Sequence, residues 1–140
     1  MSQTGLETID ATVQKTHVWL NDLMAEMGWQ DRHHAYHALR TVLHALRDRL
    51  GPDKAAALAA QLPMLIRGLY YQGWHPAGKP LREKRGGFLA HVAADCQGRD
   101  DDPAEVARAV FCVLARHVAP GEADKLCRIL PADVRDLWPD

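Results

Sequence analysis

LRTVLHALRDRLGPDKAAALAAQLPMLIRGLY, Leu39 to Tyr70, returns 68 positions later and without a gap as ARAVFCVLARHVAPGEADKLCRILPADVRDLW, Ala107 to Trp138. Arg40 falls on Arg108, Val42 on Val110, Leu46 on Leu114 and Pro52 on Pro120. Further on, Leu58 falls on Leu126, Leu62-Pro63 on Leu130-Pro131, Arg67 on Arg135 and Leu69 on Leu137. A repeat of this kind governs architecture before any local reading does. It predicts a helical unit used twice inside one domain spanning residues 1–140, with halves at about 13–72 and 84–138.

Outward from the repeat, every strong signal is helical. Val13, Trp19, Leu20, Leu23, Met24 and Met27 form a stripe of 3.6 periodicity that Gly28 closes. Ala35, Leu39, Val42, Leu43, Leu46 and Leu50 share one face of the next segment, which Gly51-Pro52 ends. The alanine-rich DKAAALAAQL follows as a short helix, and Pro63 opens a fourth, MLIRGLYY, that runs out at Gly73. In the second copy Phe88, Leu89 and Val92 match Trp19, Leu20 and Leu23. Asp102-Pro103 then supplies an N-cap and a first-turn proline, with Glu105 three residues past the cap. Pro120 and Pro131 open the last two helices. No alternation of strand type occurs, so the expected fold is all-α: about eight helices in two tandem repeats of four, forming one compact bundle.

Composition narrows the function. Seventeen basic and eighteen acidic side chains give a formal net charge of −1, which argues against a nucleic-acid binder with its usual basic excess. The first residues carry no apolar leader pattern, and no apolar run approaches membrane-spanning length. Cys96, Cys112 and Cys127 form no CxxC pair, and an odd, scattered set fits reduced thiols in a cytoplasmic protein. Cys96 is the thiol expected to be exposed.

The run AAQLPMLIRGLYYQGWHP, Ala59 to Pro76, together with Ala109-Val110-Phe111 and Leu130-Pro131, is similar to a bacterial domain family of unknown function designated 2267. The likeness extends from about Leu20 to Trp138. It implies a small cytoplasmic helical protein of bacteria and supplies no catalytic residues.

His33, His37 and His44 fall within about 40° of one another on a helical wheel, and the i, i+4 pair has the spacing of a metal chelate. That face lies opposite the Leu39–Val42–Leu46 stripe, Arg40 sits among the histidines, and no HExxH or Cys/His pattern accompanies it. A solvated face is the better reading, and no metal or other cofactor is expected. Ser2 is the only serine, and no triad order, phosphate loop or dinucleotide fingerprint is present. Asp102 is accounted for by capping, while Asp100 and Asp101 suit the positive end of the same helix.

One stretch has its own character: GWHPAGKPLREKRGG, Gly73 to Gly87, a Gly/Pro/basic connector between the copies. With Tyr71 just before it, it gathers Trp74, Lys79, Arg82 and Lys84, a mixture of aromatic and cationic groups suited to an acidic protein surface or an anionic ligand. The alternative is that Trp74 packs over the core while the charges keep a loop soluble. Tyr70, which the repeat aligns with Trp138, is expected to pack, and Arg67 to hold each copy together. The function expected is a non-catalytic protein-interaction or regulatory module whose partner is a protein. The alternative is a binder of small or anionic ligands with a pocket between the two repeats.

Overall fold

The computed structural model describes residues 3–81, 85–94 and 100–139. Its elements are α1 (Glu7–Met27), α2 (Arg32–Arg47), α3 (Pro52–Ala59), α4 (Met64–Tyr71), α5 (Arg85–Ala94), α6 (Pro103–His117), α7 (Glu122–Ile129) and a closing 3-10 turn (Arg135–Leu137). No strand occurs among the described residues. The fold is all-α.

Local chemistry sets the helix ends. Glu7 and Asp10 place negative charge in the first turn of α1, at the positive end of its dipole. Gly28 ends that helix in the left-handed conformation, φ 70°, with its N–H bonded to the Met24 carbonyl. Asp31 caps α2 by accepting the His33 N–H at 3.0 Å. Asp102 caps α6 by accepting the Ala104 N–H at 3.0 Å, with Pro103 in the first turn as the sequence predicts.

The core forms around α2 and α6. Helix α2 packs against α1, α4, α5 and α6, while α6 packs against α1, α2, α5, α7 and the 3-10 turn. Leu46 and Leu114, the matched centres of these two helices, have no exposed surface. Hydrogen-bonded side chains cross between the halves. His34 Nε2 lies 2.6 Å from Asp101 Oδ2, with the His34 ring stacked on Trp29. His117 Nε2 lies 2.6 Å from Asp22 Oδ2, with its ring stacked on Trp19. Arg49, buried, donates to the Gly87 carbonyl at 3.1 Å and stands over the Phe88 ring.

Two expectations need correction. The helices number seven among the described residues, because PADVRDLW makes only turns and one 3-10 turn where an eighth helix is predicted. Length is not the reason, since its counterpart α4 is an eight-residue helix. Pro139 disfavours the α conformation at Trp138, which is extended at φ −72° and ψ 142°, whereas α4 runs on through Tyr70 and Tyr71. His44, assigned to the solvated face of α2, is 8% exposed. Helix α4 packs on that side of α2, and His44 Nε2 hydrogen-bonds the Leu69 carbonyl at 2.8 Å.

Arg67 and Arg135, which the offset pairs, make matching bonds. Arg67 donates from Nε to the Ala59 carbonyl and from Nη2 to the Leu62 carbonyl, both at 2.9 Å. Arg135 donates from Nε to the Cys127 carbonyl and from Nη2 to the Leu130 carbonyl, both at 3.1 Å, with a further bond from Nη2 to Arg128. Ala59 and Leu62 pair with Cys127 and Leu130 at the same offset of 68.

Candidate functional site

Ile9, Thr12, Val13, Thr16 and Leu20 recur at intervals of three and four residues, so they line one face of α1. Helix α4 packs on that face, and an open groove of about 770 Å³ runs between the two helices. Leu39 and Ile66, both buried, are among its lining residues, and Tyr36, Met64 and Leu65 stand on its rim. Met64 is 46% exposed, Leu65 48% and Tyr36 37%, large apolar surfaces left in water.

The two threonines in the groove are satisfied internally. Thr12 Oγ1 accepts the Leu65 N–H at 2.9 Å, one of the donors left orphaned at a helix start, and so fastens the first turn of α4 to α1. Thr16 donates its hydroxyl to the Thr12 carbonyl at 2.8 Å. What the groove offers a visitor is therefore mostly carbon. Gly68 lies in the wall formed by α4, and a Cβ built there would meet nothing within 4 Å. Glycine inside a helix costs roughly 0.5–1 kcal/mol relative to alanine.

The far end of the groove is held by α2. The last carbonyls of α4 have no partner within their own helix. Buried Arg47 donates from Nη1 to the carbonyls of Tyr70 and Gln72 at 2.7 and 2.6 Å, and from Nε to Asp48 Oδ1 at 3.0 Å. His44 binds the Leu69 carbonyl, and burial, aided by the charges of Arg47 and Arg40, holds its pKa below the ordinary histidine value. Tyr70 donates its hydroxyl to the Ala55 carbonyl at 2.8 Å, and burial pushes that hydroxyl well above the usual tyrosine range, so it stays a donor. Arg40 donates from Nε to Gln72 Oε1 at 3.3 Å, which places a half-exposed guanidinium where the groove ends.

Of the five residues singled out around the connector, Tyr71 lines this groove. Its ring lies 5.3 Å from that of Trp74, which is half-buried against the core. The indole N–H of Trp74 is buried without a hydrogen-bond partner among the described residues. Lys79 is half-exposed. Beyond it, Leu81 N–H donates to the Asp48 carbonyl at 2.8 Å and pins the connector to the end of α2. Arg82, Lys84 and Cys96 lie outside the described residues.

The other candidates do not assemble with the groove. His33 and His37 are exposed, their Nε2 atoms 3.2 Å apart. Among the described residues no three His, Cys, Asp or Glu side chains come together as a metal site. Cys112 and Cys127 are free, half-buried thiols. The groove is lined entirely by residues 9–72, and a separate cleft of about 500 Å³ lies between the end of α1 and the second half, with Glu26, Arg108 and Asp136 in its lining. Another cleft that reaches the second half, of about 640 Å³, includes Lys15, Arg67 and His117 in its lining.

Sequence reasoning missed the groove, Arg47 and Asp101. Arg47 had a signal: α4 carries no basic residue in its last turn, while the last turn of α2 ends in one. Asp101 sits beside a cap and was assigned to the helix dipole, whereas it binds His34.

The fold and the groove define a small all-helical protein whose unfilled surface is apolar. No helix among the described residues is long and apolar enough to cross a membrane. The chain belongs to the family of uncharacterised conserved proteins designated DUF2267, whose model matches residues 16–137. No functionally curated protein matches it. The matched span takes in all of α4 and the connector but begins after the groove residues Ile9, Thr12 and Val13.

Proposed function

We propose that the protein is a non-catalytic interaction module and that it takes a protein partner in the groove between α1 and α4. The observation that carries this reading is a contrast within the chain itself. At the offset of 68, the inward positions Ile66, Leu69 and Tyr70 correspond to Val134, Leu137 and Trp138, all buried or half-buried. The outward positions Met64, Leu65 and Gly68 correspond to Ala132, Asp133 and Asp136. Solvent-facing positions of this unit take small or acidic residues in one copy, yet methionine, leucine and glycine in the other. Taking the halves as one unit used twice, apolar groups kept in water beside the groove, at positions whose counterparts are small or acidic, mark a surface meant to be covered.

The connector keeps a smaller part in this reading. Tyr71 contributes to the groove directly, and Trp74 supports the Tyr71 ring from behind. The test is co-purification from the native host with tagged wild type, Leu65→Glu, and Trp74→Ala combined with Lys79→Ser. Leu65→Glu is expected to abolish capture of a partner identified with wild type, with the helical circular dichroism unchanged. Trp74→Ala with Lys79→Ser is expected to weaken capture less and to lower thermal stability. Full capture by folded Leu65→Glu would sink the proposal.

A further inference from the structure

Gly68 is the middle of α4, four and three residues after Met64 and Leu65 and three and four before Tyr71 and Gln72, so all four flank it on the same side of the helix. Its φ is not positive, so the backbone there does not require glycine. Nor does crowding, since no atom lies within 4 Å of the position a Cβ would take. What the residue provides is bare backbone in the groove wall, between two pairs of larger side chains. Bare backbone matters to a visitor that must bring its own backbone close, as when two helices cross at a small residue. An acyl chain, packing on side chains, gains nothing from it.

Length and charge point the same way. The α1 wall from Ile9 to Leu20 runs about 16 Å at 1.5 Å per residue, roughly three helical turns. Arg40, tethered to Gln72 through Nε alone, makes no ion pair among the described residues and stands at one end of that length. Resting on the groove as the docking surface, we infer that its occupant is a short amphipathic helix of a partner protein, which crosses α4 at Gly68 and brings a carboxylate to Arg40. Apolar residues at i, i+3, i+4 and i+7 of that helix fill the groove, the usual mode of helix-in-groove recognition. Met64, unbranched and adaptable, conforms to them.

The experiment selects binders from a displayed library of amphipathic helical peptides of about sixteen residues, long enough for the groove. The apolar face and one end are randomised, and wild-type protein is the bait. Selected peptides are then measured by fluorescence anisotropy against Gly68→Leu, Arg40→Gln and Leu65→Glu, each first shown to be folded. The expected result is a loss of about tenfold or more on Gly68→Leu and Leu65→Glu, as for central interface positions. Arg40→Gln is expected to cost several-fold, less at high salt, with an acidic residue enriched at the randomised end. Peptides that depend on Leu65 but tolerate Gly68→Leu would keep the groove and overturn the crossing at Gly68. Peptides indifferent to Leu65, or no peptides at all, would overturn both. A stoichiometric complex with dodecanoate that Gly68→Leu abolishes, with no peptide selected, would reassign the groove to an acyl chain. A dimer in sedimentation that Gly68→Leu dissolves would reassign it to a second copy of this chain.

Discussion

Replacing Gly68 with alanine should make the protein more stable, and the size of the gain follows from three features of the site. The residue lies inside an eight-residue helix, its backbone is not in a left-handed conformation, and the new methyl would meet nothing within 4 Å. With no strain to subtract, the full helix-propensity difference of about 0.8–1 kcal/mol applies. Much of it comes from restricting the unfolded chain. Unfolding entropy of about 2.1 cal/mol/K per residue, over 140 residues, amounts to roughly 0.3 kcal/mol/K. The melting temperature should therefore rise by about 3 °C. Thermal melts followed by circular dichroism, with urea unfolding as a second measure, would resolve a shift of that size. An unchanged or lower melting temperature would refute the reasoning, because it would mean that the space above Gly68 is already occupied.

Three further outcomes test the core and its buried polar groups. Leu46→Ala and Leu114→Ala should each cost about 2–5 kcal/mol in chemical denaturation, and a loss under about half a kcal/mol at either would show that helix face to be misread. Arg67→Met should cost about 1–3 kcal/mol by leaving the Ala59 and Leu62 carbonyls without their donor. Arg135→Met should cost less, since two of its three bonds are exposed and water can replace them, so the reverse order in urea titrations would count against matched roles. His44 is depressed in the folded state, so the unfolded chain binds the proton more readily. Its contribution is present above about pH 6.5 and is lost as pH falls through that value toward the folded pKa. The His44→Gln variant keeps a donor for the Leu69 carbonyl and cannot titrate. Its stability should fall less than wild type between pH 7.5 and 5, and equal slopes would exclude His44 as the group responsible.

Which features could be read from the chain depended on how many neighbours they needed. The start of α6 is written in two adjacent residues, Asp102 and Pro103, and the end of α1 in Gly28 alone; both appear where the sequence puts them. The core faces of α2 and α6 follow from one-dimensional periodicity. His44 does not, because α2 is enclosed on several sides and a helical wheel assumes a single partner. The last helix failed for a local reason, Pro139, which holds Trp138 extended where the first half continues its helix. The groove was beyond periodicity altogether: it depends on how α1, α2 and α4 pack together, an arrangement that no spacing within a single helix encodes. Its trace in the sequence is Met64-Leu65 before inward Ile66, two large apolar residues facing out at the start of a helix, followed by glycine. The aromatic and basic density of the connector was the louder signal. Yet Trp74 turns its ring to the core, and only Tyr71 of that group reaches the groove.

The contrast between the halves also indicates how such a groove persists. At the matched positions of the two segments the inward residues are apolar, and in each an arginine ties up helix-end carbonyls. With the scaffold secured there, outward positions are free to differ. The later segment carries charge at Asp133 and Asp136, the ordinary choice for a surface. The earlier one does the opposite: it exposes Met64 and Leu65 and keeps Gly68 in mid-helix. Each of those choices lowers solubility or stability in the isolated protein, and none is required by the backbone. On the function proposed above, a surface that carries such costs at Met64, Leu65 and Gly68, where the matched positions carry none, is one that a partner covers.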